Sequence, residues 1–202
     1  MLTITRTTSA VDFPITLDEA KRQLRIVDDS TQDAEIIDLI RTATEEAEMR
    51  TNRAFMHTNF QAQISNWNDL PISRNGYWYI LPSPLIRIIN VRYYFNNVLT
   101  TLAVGNYEVN NHHIPGLFRF TGSLPAVDNR PDAILINFES GYGSAGASVD
   151  EQRMAVPATI KHWIKMELAT LDQMRQYTIT GTMVSRMDEI GNNLLAPYIL
   201  IQ

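Results

Sequence analysis

The hydrophobic period of the chain changes twice, and that change constrains the fold more than any single motif does. Over 33–53, Ile36, Ile37, Ile40, Ala43 and Ala47 recur at helical spacing, with Arg41, Glu45, Glu46, Glu48 and Arg50 largely outside the stripe. A second stripe, Ile160, Trp163, Ile164, Leu168 and Leu171, runs over 157–177 behind Pro157, a residue suited to the first helical position because its missing N–H costs nothing there. Between them, from Thr58 to about Ser140, the period is two and turn signals recur roughly every ten residues, which predicts an all-β stretch. Neither helix can bury its stripe alone. The two are therefore expected to pack on each other, leaving the β stretch as an insertion between them.

Local signals fill in this outline. Thr16-Leu17-Asp18-Glu19 is a capping box, in which the hydroxyl satisfies an orphan backbone N–H and Glu19 reaches back; it starts a short helix over 16–26 with Leu17, Ala20 and Leu24 on one face. Phe60, Ala62 and Ile64 alternate with polar neighbours. Asn75-Gly76 tolerates the positive φ of a hairpin turn and introduces Tyr77 to Leu81. Leu85 to Phe95 is rich in β-branched and aromatic residues, Asn96-Asn97 makes the next tight turn, and Val98 to Val104 returns alongside. Further strands are predicted at Tyr107–Val109, Leu117–Phe120 and Ala133–Phe138. Past Tyr177 the chain is apolar yet irregular: Thr178 to Met187 is strand-like, Asp188 to Leu195 suits a short helix stopped by Pro197, and Tyr198 to Gln202 is a greasy tail. The fold class is α+β. A small helical bundle (helices about 16–26, 33–53 and 157–177) carries an inserted antiparallel β subdomain and an extended C-terminal tail. Residues 1–56 and 151–180 make the helical domain, 57–150 the β subdomain and 181–202 the tail.

Composition narrows the function. With 202 residues the chain can bury a core without metals or disulfides, and with no cysteine it has no disulfide framework, thiolate site or cysteine nucleophile. No basic segment followed by an apolar run opens the chain, and no apolar run approaches the ~18 residues of a membrane span, so no membrane partner is expected. The 17 Lys+Arg against 22 Asp+Glu leave a net charge of −5, which argues against affinity built on phosphate neutralisation. The same sign suits a surface past which DNA slides without sticking.

Motifs that would carry chemistry fail on context. Gly141-Tyr142-Gly143-Ser144-Ala145-Gly146 spells a dinucleotide fingerprint, but such a loop opens a helix directly, and here the next helix is predicted only at Pro157 with no parallel βαβ pattern around it. The glycines read instead as positive-φ backbone at a strand exit. His112 and His113, being adjacent, point to opposite faces of any strand and do not make a metal site together; with His57 and His162 they complete the histidines. Asp128, Asp132 and Glu139 are acids without a reason for perturbed acidity. Trp78, Tyr79, Tyr93, Tyr94 and Phe95, near Arg87 and Arg92, are the one cluster able to stack bases, although strand aromatics are more often core. No catalytic residue, cofactor or metal ligand is assigned, and the chain reads as a non-enzyme.

Several short segments then line up in order. Ile15-Thr16-Leu17-Asp18-Glu19-Ala20-Lys21 with Leu24-Arg25-Ile26 and Asp28-Asp29, and Ile37 to Thr51 with Ala43, Glu46, Ala47 and Thr51, resemble the opening of phage head-tail connector (adaptor, or head completion) proteins. The resemblance continues through Leu81-Pro82-Ser83-Pro84-Leu85-Ile86, Phe138-Glu139-Ser140-Gly141-Tyr142-Gly143, Val156-Pro157-Ala158-Thr159-Ile160-Lys161 and Leu194-Leu195-Ala196-Pro197-Tyr198. In such proteins Arg often follows the final Pro-Tyr, whereas here Ile199 does. The resemblance implies a virion structural protein of the head-tail junction, assembled in the cytoplasm of a bacterial host. It implies a ring of identical copies, commonly a dodecamer, under the portal protein. That ring seats the tail or a stopper protein and lets DNA pass through its lumen without specific binding. The competing reading is another virion component, such as a tail-completion or receptor-binding protein. Leu194, Leu195, Pro197, Tyr198, Ile199, Leu200 and Ile201 are the residues expected to dock on the portal or a neighbouring subunit. They are read as a strap ordered only on docking, whose deletion with 192–202 leaves the fold intact.

Overall fold

The structure is a computed structural model, and it describes residues 2–8, 12–26, 30–173 and 193–200. The strand-like stretch 178–187, the helix beyond 173, Ile201 and most of the short helix over 188–195 lie outside the described residues; of that last element, 193–195 is described and is helical.

Strand β1 (Thr3–Arg6) is followed by helices α1 (Leu17–Leu24) and α2 (Asp33–Thr51). The β stretch contains β2 (Thr58–Ile64), β3 (Trp78–Ile80), β4 (Leu85–Phe95), β5 (Val98–Thr101), β6 (Tyr107–Asn110), β7 (Gly116–Phe120) and β8 (Ile134–Ser140). Helices α3 (Val149–Ala155) and α4 (Ala158–Gln173) then return to α2. The architecture is α+β, and among the described residues the named strands all pair antiparallel.

The two stripes meet as expected. Ile36, Ile40, Ala43 and Ala47 of α2 share one buried cluster with Ile160, Trp163, Ile164 and Leu168 of α4. Helix α1 joins them through Ala20, and its capping box forms in full: Glu19 N–H donates to the Thr16 hydroxyl at 3.2 Å and Thr16 N–H to Glu19 at 2.9 Å. Ion pairs fix its position, Lys21 with Asp33 of α2 and Lys165 of α4 with Glu19 at 2.9 Å.

The β stretch folds into two sheets over a second core. The five-stranded sheet has the order β1-β2-β8-β4-β5 and the three-stranded sheet β3-β7-β6. Period-two alternation is visible in β2, where Thr58, Phe60, Ala62 and Ile64 are buried and Asn59, Gln61 and Gln63 face outward. Phe60 stacks on Phe138, and Trp78 meets Phe118 and Phe138 edge to face. The sheets approach closely at Gly116, where a Cβ would stand 2.5 Å from that of Leu85, so a side chain there would push β7 off β4. On the outer face an amide chain crosses three strands: Gln61 donates to Asn137 at 2.9 Å and Asn137 to Asn90 at 2.7 Å.

Two elements depart from the sequence expectation. Residues Thr3–Arg6, assigned to the helical domain, instead form the edge strand β1 against β2. A short helix absent from the sequence expectation, α3, begins at Val149 under a second capping box between Ser148 and Glu151, ahead of α4, which starts behind Pro157 as expected. The predicted turns are present: Asn96 and Asn97 adopt φ of 50° and 60° and join Phe95 to Val98, and Gly76 adopts φ of 79° beside the Ile72–Trp78 bridge.

Candidate assembly surfaces

The junction between the two cores is built on the end of α2. Helix α2 stops at Asn52 in the left-handed region, and the chain turns so that Arg53 is almost wholly buried. A buried guanidinium needs acceptors, and it finds them in the C-terminal tail and the loop after β8. Its Nε donates to the Tyr198 carbonyl at 2.8 Å, one Nη donates to the Tyr142 hydroxyl at 3.2 Å, and its plane lies over the Tyr198 ring at 5.8 Å. Burial pushes the Tyr142 hydroxyl up, against the pull of Arg53. Beside it, Asn52 donates to the Leu200 carbonyl at 2.7 Å, and Leu200 N–H donates to the Thr51 carbonyl at 3.1 Å.

The tail residues singled out in the sequence are therefore divided. Leu195 is buried in the helical core, with Leu194 and Tyr198 packed against the same cluster. Pro197 and Ile199 are exposed, and Ile201 lies outside the described residues. A segment that contributes a core leucine and holds a buried arginine is seated on its own subunit. Within this subunit, residues 194–200 are thus packed through Leu194, Leu195 and Tyr198, with Pro197 and Ile199 outward.

One turn back along α2, Glu48 is buried and its carboxylate accepts from Phe55 N–H at 2.8 Å and from Arg6 of β1 at 2.6 Å. Burial pushes its pKa above the ordinary carboxylate value, although Phe55 and Arg6 pull the other way. This pair ties the edge strand to the helical core. On the far side of the junction, Glu139 accepts from Arg87 at 2.7 Å and lies 3.5 Å from His57 Nδ1, while His57 Nε2 is 3.0 Å from the Tyr142 carbonyl. These groups bind the sheet to the loop leading into α3.

That loop is the fingerprint-like segment, and a helix does begin soon after it, at Val149 rather than only behind Pro157. What stands is the absence of a parallel crossover: β8 pairs antiparallel with both neighbours. Gly141, at φ of 149°, is required for close approach, since a Cβ would sit 2.7 Å from the Met56 carbonyl oxygen. The other sequence candidates scatter. The His113 Nδ1 lies 2.8 Å from the Pro115 carbonyl, to which it can only donate, and both His112 and His113 are exposed. Among the described residues no group of three His, Asp or Glu is placed to hold a metal ion. Asp128 accepts the N–H groups of Asn96 and Asn97, Asp132 pairs with Arg130, and Glu139 is engaged as above, so the three acids serve three separate places. The Arg130 guanidinium holds Asp132 below the ordinary carboxylate value. Trp78 is core, Tyr93 packs on Trp67, Tyr94 lies under Arg130, and Phe95 is exposed, so the aromatics make no continuous stacking platform. Among the described residues no helix is long and apolar enough to cross a membrane.

Residues 14–76, which run from the approach to α1 through α2 and β2, match the model of the phage gp6-like head-tail connector proteins. No curated protein matches the chain. Solved structures share its fold over nearly its whole length. A chain from the neck of an empty GTA particle, computed with C6 symmetry, superposes with a TM-score of 0.76 at 15% identity, covering 99% of this chain and 96% of that one. A chain from the virion of the native gene transfer agent particle gives 0.72 at 16% identity, covering 98% and 96%. One from the neck of the native particle, computed with C12 symmetry, gives 0.71 at 15% identity, covering 99% and 96%.

Proposed function

We infer that this chain, which belongs through residues 14–76 to the phage gp6-like head-tail connector proteins, is a structural subunit of the joint between head and tail. The observation that carries the reading is this family match within a chain whose whole fold is that of neck proteins. The role is structural. Copies of the chain form a ring, a dodecamer by analogy with the C12 neck, seated under the portal protein and offering its lower face to the tail or a stopper. DNA passes through the lumen, and the net charge of −5 per copy disfavours its retention. The ring takes its place at the head-tail junction of the virion after synthesis in the cytoplasm of a bacterial host.

The C-terminal segment contributes to docking with its outward residues. Leu194, Leu195, Tyr198 and Leu200 hold the tail on its own subunit, and Pro197 and Ile199, with Ile201 following, are the side chains offered to the portal or to the next copy. Mixing the purified protein with emptied heads that carry portals, and imaging the vertex, tests the function. Added density as a ring beneath the portal is expected. Binding confined to tails, or none at all, would overturn the reading.

A further inference from the structure

Two apolar features lie at opposite margins of the five-stranded sheet, whose edges are β1 and β5. At the β5 margin the β4–β5 hairpin carries Phe95, Val98 and Leu99 at 47, 62 and 37% exposure, and every residue of β5 is exposed. The arm keeps its shape without a partner. Its two left-handed turn residues, Asn96 and Asn97, donate their N–H groups to the Asp128 carboxylate at 2.9 and 2.8 Å, and Arg130 covers Tyr94. A preformed edge with apolar side chains and unpaired backbone invites pairing with another chain if left bare.

At the β1 margin an apolar cleft of about 700 Å³ opens where the edges of the two sheets, β1 and β3, stand apart. Leu2, Ile4, Trp78, Tyr79, Leu81 and Pro115 line it. Among the described residues, Leu200 is bonded to Thr51 and Asn52, beside an adjoining hollow that shares Ile4 and Leu81 with the cleft.

We propose that the β4–β5 arm of one copy seats in the β1–β3 cleft of the next. The inference rests on the ring reading, since a closed ring joins two unlike faces of neighbouring copies and needs a projecting feature at one margin and a receiving one at the other. The area agrees with a ring better than with a free pair. With a Phe side chain burying roughly 150–250 Å² and aliphatic ones less, the exposed parts of Phe95, Val98 and Leu99 offer on the order of 250 Å². That is under half of the ~800 Å² per partner of a standard interface, so one contact does not hold a dimer. In a closed ring each copy makes two.

The chain has no cysteine, so Val98→Cys and Ile114→Cys can be joined selectively by a short bis-maleimide. Ile114 adjoins Pro115 at the cleft and is 48% exposed, so neither substitution touches the core. In assembled particles the double variant is expected to give a ladder of covalent multimers extending beyond the dimer. Particles built from an equal mixture of the two single variants should stop at the dimer, and each single variant alone should stay unlinked. Val98→Asp should lose the neck ring, and Leu99→Asp, added to the double-cysteine background, should lose the ladder. A ring visible at the neck with no ladder, or Val98→Cys linking to itself, refutes the arm-in-cleft contact while leaving the ring in place. Absence of any ring of this chain at the neck removes the ring reading and this contact together.

Discussion

Replacing Leu195 with alanine tests whether the C-terminal tail is part of the fold or only an appendage. Leu195 is 1% exposed and shares a cluster with Ile36, Ile40, Ile160 and Leu168, so its truncation leaves a cavity between α2 and α4. Leucine-to-alanine changes at such sites cost about 2–5 kcal/mol, the spread reflecting how far the surroundings collapse. For a chain of this size each kcal/mol lowers the melting temperature by roughly 2–4 °C, so a drop of about 4–20 °C is expected. Urea titration followed by tryptophan fluorescence reports the same loss, because Trp163 lies in that cluster. The control is Ile199→Ala: its side chain is 44% exposed, and a change within about 0.5 kcal/mol is expected. A Leu195→Ala variant as stable as the control would show that the tail contributes nothing to the helical core, and the account of Arg53 as a buried anchor for residues 198–200 would fail with it.

Gly141→Ala forces a Cβ to within 2.7 Å of the Met56 carbonyl in a backbone region that L side chains avoid; a loss of about 2–4 kcal/mol in urea titration is expected, and a loss below about 0.5 would contradict the close approach. Asp128→Ala leaves two hairpin N–H groups without their acceptor, so amide exchange at Asn96 and Asn97 should quicken while the global melting temperature moves little. Glu48 titrates in the folded chain above its ordinary value of 4.5 because burial disfavours the carboxylate. The unfolded chain therefore ionises first, and stability falls as pH rises from 4.5 through the folded value, then levels off. Glu48→Gln should abolish that fall, and parallel stability–pH curves for the two proteins would refute the assignment.

The helical half of the fold was legible because its signals are local and long. The stripes of α2 and α4 run for 19 and 16 residues, and Thr16-Leu17-Asp18-Glu19 marks a helix start on its own. Helix α3 carried the same kind of mark in Ser148-Val149-Asp150-Glu151, but with seven residues and only Gln152 buried it has no stripe to support the cap. Strand β1 is four residues at a sheet edge, with Ile4 as its lone aliphatic side chain, too little for alternation to show. The division of strands between two sheets depends on pairings such as Phe60 with Phe138, distant in sequence, which no local pattern contains. The tail was legible as apolar, but its destination was not: that depends on Arg53, whose burial follows from the turn at Asn52 and from Tyr142, a residue far along the chain. Gly141 was legible as a glycine needed at a strand exit, while the atom it avoids, the Met56 carbonyl, was not.

The central claim is that this chain builds the joint between head and tail. Locating it in intact particles by electron microscopy, with a small tag or a bound antibody fragment at an exposed loop such as Ser144–Ala145, tests that claim most directly. The account predicts label arranged with cyclic symmetry at the neck, between portal and tail. Label on the capsid shell or at the distal end of the tail, with none at the neck, would contradict it.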